Sequence, residues 1–202
     1  MIEIDVQQRS EAWHLARRSI PTASEFGRII TPKTGKLSAG ADGYIAELID
    51  EMVRPDAERG FGGNRHTDRG NELEPEARDW YAFAVGLPLR EAGFCLSDCG
   101  RYGCSPDALV GDDGGCEIKA PDGPKHVAYL RAGGLPDEYK PQVHGSLVVT
   151  GRPWWDFVSW CPGYRPLLVR VVPDDYTALV AAALDQFCDR LAAAKAEFLE
   201  PA

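Results

Sequence analysis

The stretch Tyr102–Lys119, reading YGCSPDALVGDDGGCEIK, constrains this chain more than any other. Gly111-Asp112-Asp113-Gly114-Gly115 is a turn signal, so Ala108–Val110 and Cys116–Lys119 read as the two arms of a β-hairpin. Alternate side chains share one face of a strand. Glu117 and Lys119 therefore point the same way, Ile118 points into the core, and the hairpin returns Asp107 to the side of Glu117. Two carboxylates and an ammonium on a sheet face make a candidate hard-cation site, because Mg²⁺ prefers oxygen ligands and keeps several waters. Lys119 sits where it can orient or deprotonate a metal-bound water, or stabilise charge in a transition state. A charged hairpin face that is merely solvated reads from the same residues, and the spacing alone does not choose between the two.

Composition narrows the class. With 202 residues, 44% hydrophobic and 26% charged, one domain with one good core is the expectation. MIEIDVQQRS has no apolar core of the kind a secretory signal needs, and no apolar run approaches the ~20 residues of a membrane span. A cytoplasmic protein is expected. The formal net charge of -9 argues against a generic nucleic-acid binder, whose footprint is basic. A metal-dependent site nevertheless needs carboxylates at its centre, and a local basic strip exists: Arg9, Arg17, Arg18, Arg28, Lys33 and Lys36 face only Glu11 and Glu25 in the same span. The cysteines lack the paired spacing of zinc ribbons, and free buried thiols are expected of them.

Along the chain, Ser10 caps a short helix in which Trp13 and Arg17 lie four apart, on one face. Pro21-Thr22-Ala23-Ser24-Glu25 opens a second, with Thr22 and Glu25 spaced as a capping box and free N–H groups that favour an anion. Residues 31–43 read as a mobile basic loop, Tyr44–Val53 as a helix, Arg54–Arg65 as a Gly/Arg-rich connection, and Thr67–Val85 as a helix that Pro75 kinks or restarts. Leu89–Leu96 and Arg101–Cys104 read as strands that join the hairpin in an antiparallel run. Pro136–Val149 reads as a helix carrying Tyr139, Gln142 and His144, followed by strands Trp154–Trp160 and Pro166–Val172 and a long helix Asp174–Phe198. This is an α+β domain with a central mixed β-sheet flanked by helices.

The order Asp107, Glu117-x-Lys119, with Ser105-Pro106 before it, resembles the signature of the PD-(D/E)xK nuclease superfamily. Taken with EAWHLARRSIPTASE, RGNELEPEAR and YKPQVHGSLVVTGRPWWDFVSW, the block CSPDALVGDDGGCEIKAP resembles the phage lambda exonuclease family, the YqaJ-like viral recombinases, over nearly the whole chain. The resemblance implies a single nuclease domain over 1–202, with N-terminal helices 10–53 on the DNA-end side and a core at 64–200. It implies a Mg²⁺-dependent 5′→3′ exonuclease that digests one strand of linear duplex and leaves 3′ overhangs. Asp107, Glu117 and the Ile118 carbonyl would hold two Mg²⁺ ions, which Mn²⁺ can replace, and Lys119 would activate water. Glu74 would lean into the metal site from the preceding helix. Arg17 and Ser24 would grip the 5′-phosphate with Trp13 packed beside them, and Gln142 matches the first residue of a Gln-x-Gln element. His144 stands where that element has its second glutamine, which leaves its role open. The family further implies a homotrimeric ring, double-stranded DNA ends as substrate, a phage single-strand annealing protein as partner, and a bacterial or phage-infected cell. An endonuclease of restriction or resolvase type shares the core but explains the Trp13–Ser24 block poorly. A non-catalytic end-binding protein leaves the complete set of catalytic residue types unexplained.

Overall fold

A computed structural model describes residues 1–54 and 65–199. In chain order the elements are β1 (Ile2–Ile4), α1 (Glu11–Arg17), a 3₁₀ turn (Ala23–Glu25) running into α2 (Phe26–Ile29), α3 (Ala41–Val53), α4 (Arg65–Val85), β2 (Leu89–Arg90), β3 (Phe94–Leu96), β4 (Gly103–Cys104), β5 (Ala108–Val110) and β6 (Gly114–Lys119). There follow α5 (Gly123–Ala132), a 3₁₀ turn (Asp137–Tyr139) leading into α6 (Lys140–Thr150), β7 (Trp154–Ser159), β8 (Leu167–Val171) and α7 (Asp175–Phe198).

The main sheet has the order β2-β5-β6-β7-β8. Its β5–β6 hairpin is antiparallel, β6 and β7 are parallel, and β7 and β8 are antiparallel, so the sheet is mixed. A parallel neighbour cannot be reached by a tight turn; α5 and α6 fill the crossover between β6 and β7. α4 covers one face of the sheet, where Ala77 and Tyr81 pack with Ala108, Val110, Cys116, Ile118 and Val158. On the other face α6, α7 and the N-terminal helices build the larger core, which includes Phe26, Leu109, Val143, Trp155, Phe157 and Phe187. On the α4 side Tyr81 donates to Asp156 at 2.7 Å and Arg170 forks onto the same carboxylate at 2.9 and 2.8 Å. This buried acid is therefore fully engaged between helix and sheet.

Two glycines set how close these layers approach. A Cβ on Gly145 of α6 would lie 2.2 Å from Phe26 Cδ2, and one on Gly115 of β6 would lie 2.3 Å from the Trp155 ring. Small residues there let whole aromatic rings fill the space.

The structure corrects several readings of the sequence. The expected strand Leu89–Leu96 divides: β2 pairs with β5, whereas β3 pairs with β1 and β4 in a separate sheet. The break falls at Gly93, where a Cβ would meet the Val6 carbonyl at 2.1 Å, so the chain passes against the end of β1 there. β1 and α5 were not anticipated. Thr22 makes no capping bond; its hydroxyl faces Arg17 and Ser24 instead. Pro75 lies inside a continuous α4. The 31–43 segment is tied back by Thr31 N–H to Lys36 (2.9 Å), Ser38 N–H to Ile29 (2.7 Å) and the Ile30–Leu37 bridge. Most of the expected Arg54–Arg65 connection lies outside the described residues.

Candidate active site

Strand alternation places Glu117 and Lys119 on the face of β6 that looks toward α6, and Ile118 in the core beneath α4. Asp107 precedes β5, and its backbone N–H still bonds to the Cys116 carbonyl at 3.2 Å, which continues the ladder one step beyond the strand. Its Oδ2 accepts the Ile118 N–H at 2.5 Å, so the hairpin itself fixes the Asp107 carboxylate at the shoulder of Glu117. Glu117 is buried. One of its oxygens, Oε1, accepts from Lys119 Nζ at 2.6 Å and from Gln142 Nε2 at 2.6 Å. Gln142 reaches it from the first turn of α6, while Tyr139, which caps that helix, sets its ring 5.4 Å from the lysine ammonium.

The electrostatics are those of a site with an excess of negative charge. Burial, together with the Glu117 and Glu74 carboxylates, pushes the Asp107 pKa well above the usual range, against the opposing pull of Lys119 and the Ile118 N–H. Burial would lower the Lys119 pKa, but Glu117 and Asp107 outweigh it and hold the ammonium above its ordinary value. A protein can relieve such crowding by protonating an acid or by binding a cation. Among the described residues no three carboxylate, imidazole or thiol groups gather at one point. The side-chain oxygen donors that the hairpin brings together are the Asp107 and Glu117 carboxylates. Hard oxygen donors with room for water suit Mg²⁺ or Mn²⁺ better than a soft metal.

Glu74 projects from α4 toward this pair, but both its oxygens are occupied. Oε2 accepts from Arg9 and Oε1 from Arg78, each at 2.6 Å. A cavity of about 420 Å³ opens here, lined by Gln8, Arg9, Glu74, Arg78, Glu91 and Asp107 among others.

A second, smaller cavity of about 40 Å³ opens on the Glu117 side, lined by Arg17, Thr22, Ala23, Ser24, Cys104, Ser105, Glu117, Gln142 and Ser146. The helix spacing of Trp13 and Arg17 has the effect expected of it: the guanidinium stacks 3.8 Å above the indole. The indole N–H donates to Ser105 Oγ at 2.9 Å and to the Gly93 carbonyl at 3.1 Å, so the ring is itself braced. Arg17 then donates to Ser105 and to Thr22, each at 3.3 Å, and Thr22 lies 3.3 Å from Ser24 Oγ. Burial lowers the Arg17 pKa, yet a guanidinium stays charged in proteins. The result is a fixed cation ringed by hydroxyls, an arrangement that accepts a tetrahedral oxyanion.

The structure thus gathers Arg17, Ser24, Glu117 and Gln142 around one cavity, places Asp107 and Glu74 on the other, and puts Lys119 and Trp13 directly behind them. His144 is apart. It is buried on the opposite side of α6, with Nδ1 2.8 Å from Thr177 Oγ1, 3.5 Å from Asp174, and its ring edge-on to Tyr176. Ser105 was missed by sequence reasoning, which used the Ser-Pro-Asp run only for its proline; a period-two step back from Asp107 would have marked it. The basic strip is also less bare than its local sequence suggests. Arg28 forks onto Glu47 at 2.7 and 2.6 Å, and Arg9 is held by Glu74, both acids lying outside the span.

Comparison with known proteins places the fold and the family. No curated protein matches the chain. Among solved structures, an alkaline exonuclease (LHK-Exo) from Laribacter hongkongensis is 31% identical, with a TM-score of 0.77 over 93% of this chain and 97% of its own. LHK-Exo in complex with dAMP aligns at 30% identity and a TM-score of 0.76, with the same coverage of 93% and 97%. A phage related exonuclease from Haemophilus somnus 129PT, at 18% identity and a TM-score of 0.62 over 87% of this chain and 96% of its own, shares the fold. Residues 12–153, which contain Trp13, Arg17, Ser24, Glu74, Asp107, Glu117, Lys119 and Gln142, match the YqaJ-like viral recombinase domain, and the chain belongs to that family.

Proposed function

We propose that this protein is a Mg²⁺-dependent 5′→3′ exonuclease that digests one strand of linear double-stranded DNA and leaves 3′ single-stranded overhangs for recombination. The observation that carries the reading is the adjacency of the two halves of the site. The Arg17–Ser24–Ser105 cavity is walled by Glu117, the same carboxylate that pairs with Lys119 beside Asp107. A terminal 5′-phosphate held by Arg17, Ser24 and Ser105 would leave the first phosphodiester bond at the Asp107–Glu117 pair. The similarity to an alkaline exonuclease supports the same reaction class.

Asp107, Glu117 and the Ile118 carbonyl would hold the metal, two Mg²⁺ ions in the family pattern, with Mn²⁺ as a substitute. Bound there, Mg²⁺ supplies Lewis-acid charge and a more acidic water. The remaining work falls to the chain's own groups. Trp13 braces Arg17 so that the guanidinium meets the phosphate without reorganising. Gln142 orients Glu117. Lys119, charged at neutral pH, places its ammonium against the charge that develops on the phosphoryl oxygens. A homotrimeric ring, a phage single-strand annealing partner, and a cytoplasmic setting in a bacterial or phage-infected cell complete the reading. Among the described residues no helix is long and apolar enough to cross a membrane.

The test compares initial digestion rates of duplexes carrying a 5′-phosphate or a 5′-hydroxyl. Wild type should strongly prefer the phosphate, and Arg17→Ala should lose most of that preference, since a charge-assisted contact contributes about 1.5–3 kcal/mol. A wild-type ratio near unity would remove the pocket and leave the endonuclease reading in its place.

A further inference from the structure

Arg9 stands out on three independent observations. Its backbone is in the left-handed region, at φ 68, where a side-chain-bearing residue is uncommon. Such conformations persist where the surroundings or a function demand them. Its side chain is 55% exposed, yet it reaches into the 420 Å³ cavity to meet Glu74 through a single nitrogen, Nη2, at 2.6 Å. Arg78, which holds the other Glu74 oxygen, is 24% exposed and is also paired with Glu91. One arginine is thus anchored and the other is held by a single exposed ion pair, which is a weak tether.

The two cavities lie on either side of the carboxylate pair, one walled by Glu117 and the other by Asp107. On the proposed function, the terminal phosphate occupies the first and the scissile bond lies at the carboxylates. The strand must then continue past Asp107 into the second. Glu74, Glu91 and Asp107 would repel its backbone there unless a cation turned toward it. We propose that Arg9 is that cation: it exchanges Glu74 for a backbone phosphate of the digested strand just beyond the scissile bond. Its planar fork can take two phosphate oxygens, a stronger pairing than its single contact to Glu74. Arg9 is then a substrate-binding residue outside the terminal-phosphate pocket. This inference rests on the proposed function and deepens it.

Equilibrium binding of a 5′-phosphorylated duplex, measured in Ca²⁺ over a series of salt concentrations, tests it. Arg9→Gly removes the guanidinium and suits the left-handed backbone, so the fold is not put at risk. The plot of log affinity against log salt should become shallower by about 0.9, the value of one lost phosphate contact. Arg9→Lys should restore the wild-type slope. Neutral methylphosphonates placed one at a time at the first phosphates beyond the scissile bond should reveal one position that weakens wild type several-fold and leaves Arg9→Gly unaffected. Equal slopes for wild type and Arg9→Gly, or equal sensitivity at every position, would overturn the proposal while leaving the proposed function in place. Failure of wild type to bind duplex ends at all would overturn both. The 5′-phosphate preference separates the two phosphate sites: Arg9→Gly should retain it where Arg17→Ala does not, and its loss in Arg9→Gly would count against a distinct contact.

Discussion

Gln142 and His144 lie two residues apart on α6, a rotation of about 200°, and the structure gives each a different environment. Gln142 meets Glu117, whereas His144 is buried against Thr177 and Asp174. Burial lowers the His144 pKa more than Asp174 raises it. The sign follows: the unfolded chain takes up the proton more readily than the folded one, so His144 costs nothing above its unfolded pKa of about 6.5. As pH falls through that value, stability is lost until the depressed folded pKa is reached. Chemical denaturation at a series of pH values should therefore show wild type weakening below about pH 6.5, with a smaller slope in His144→Gln. Rate–pH profiles of the two proteins should superimpose, because the ring does not face the cavity; a profile flattened only by His144→Gln would return His144 to the site. At Lys119 the expectation is different. Lys119→Ala should abolish nucleotide release yet bind Mn²⁺ at least as tightly as wild type by calorimetry, because it removes a cation from beside two carboxylates. Retained turnover would remove Lys119 from the chemistry.

At the scale of elements, the hairpin was legible because its determinants are local. A glycine-rich turn and strand alternation suffice to bring Asp107, Glu117 and Lys119 together and to bury Ile118. The α1 stacking of Trp13 and Arg17 was legible for the same reason. What escaped the sequence is set by distant partners. β1 becomes a strand by pairing with residues some ninety positions on (Ile2 with Leu96). The division of Leu89–Leu96 depends on the close passage of β1 at Gly93, and the engagement of Glu74 by Arg9 joins α4 to the segment before α1. α5 has little apolar periodicity, although Asp122 accepts the Lys125 N–H as its cap and Gly133 closes it at φ 69. The contact that sets α6 against α2 gives a direct test. Gly145→Ala would drive a methyl into Phe26, and the melting temperature should fall by the equivalent of about 1–3 kcal/mol. Gly145→Ala combined with Phe26→Leu should recover part of the loss. An unchanged melting temperature in the single variant would mean that the two helices do not pack this closely.

For the molecule as a whole, a formal charge of -9 coexists with a site that must receive polyanionic DNA. The structure reconciles the two by drawing acids onto arginines, as at Arg28–Glu47, Arg101–Asp189 and Arg190–Asp42, while Arg17 is kept among hydroxyls. On the proposed function, the remaining excess at Asp107 and Glu117 is met by a divalent cation. Mg²⁺ should accordingly raise the melting temperature of wild type, since it binds only the folded arrangement, and should have little effect on Asp107→Asn. The most direct test of the whole account is Mg²⁺-dependent digestion of linear duplex labelled at the 5′ or the 3′ end of one strand, run beside covalently closed circles. The 5′ label should be released first as a mononucleotide, the 3′ label should remain on a long product, and the circles should be untouched. Cleavage of the circles, or release of the 3′ label first, would contradict it.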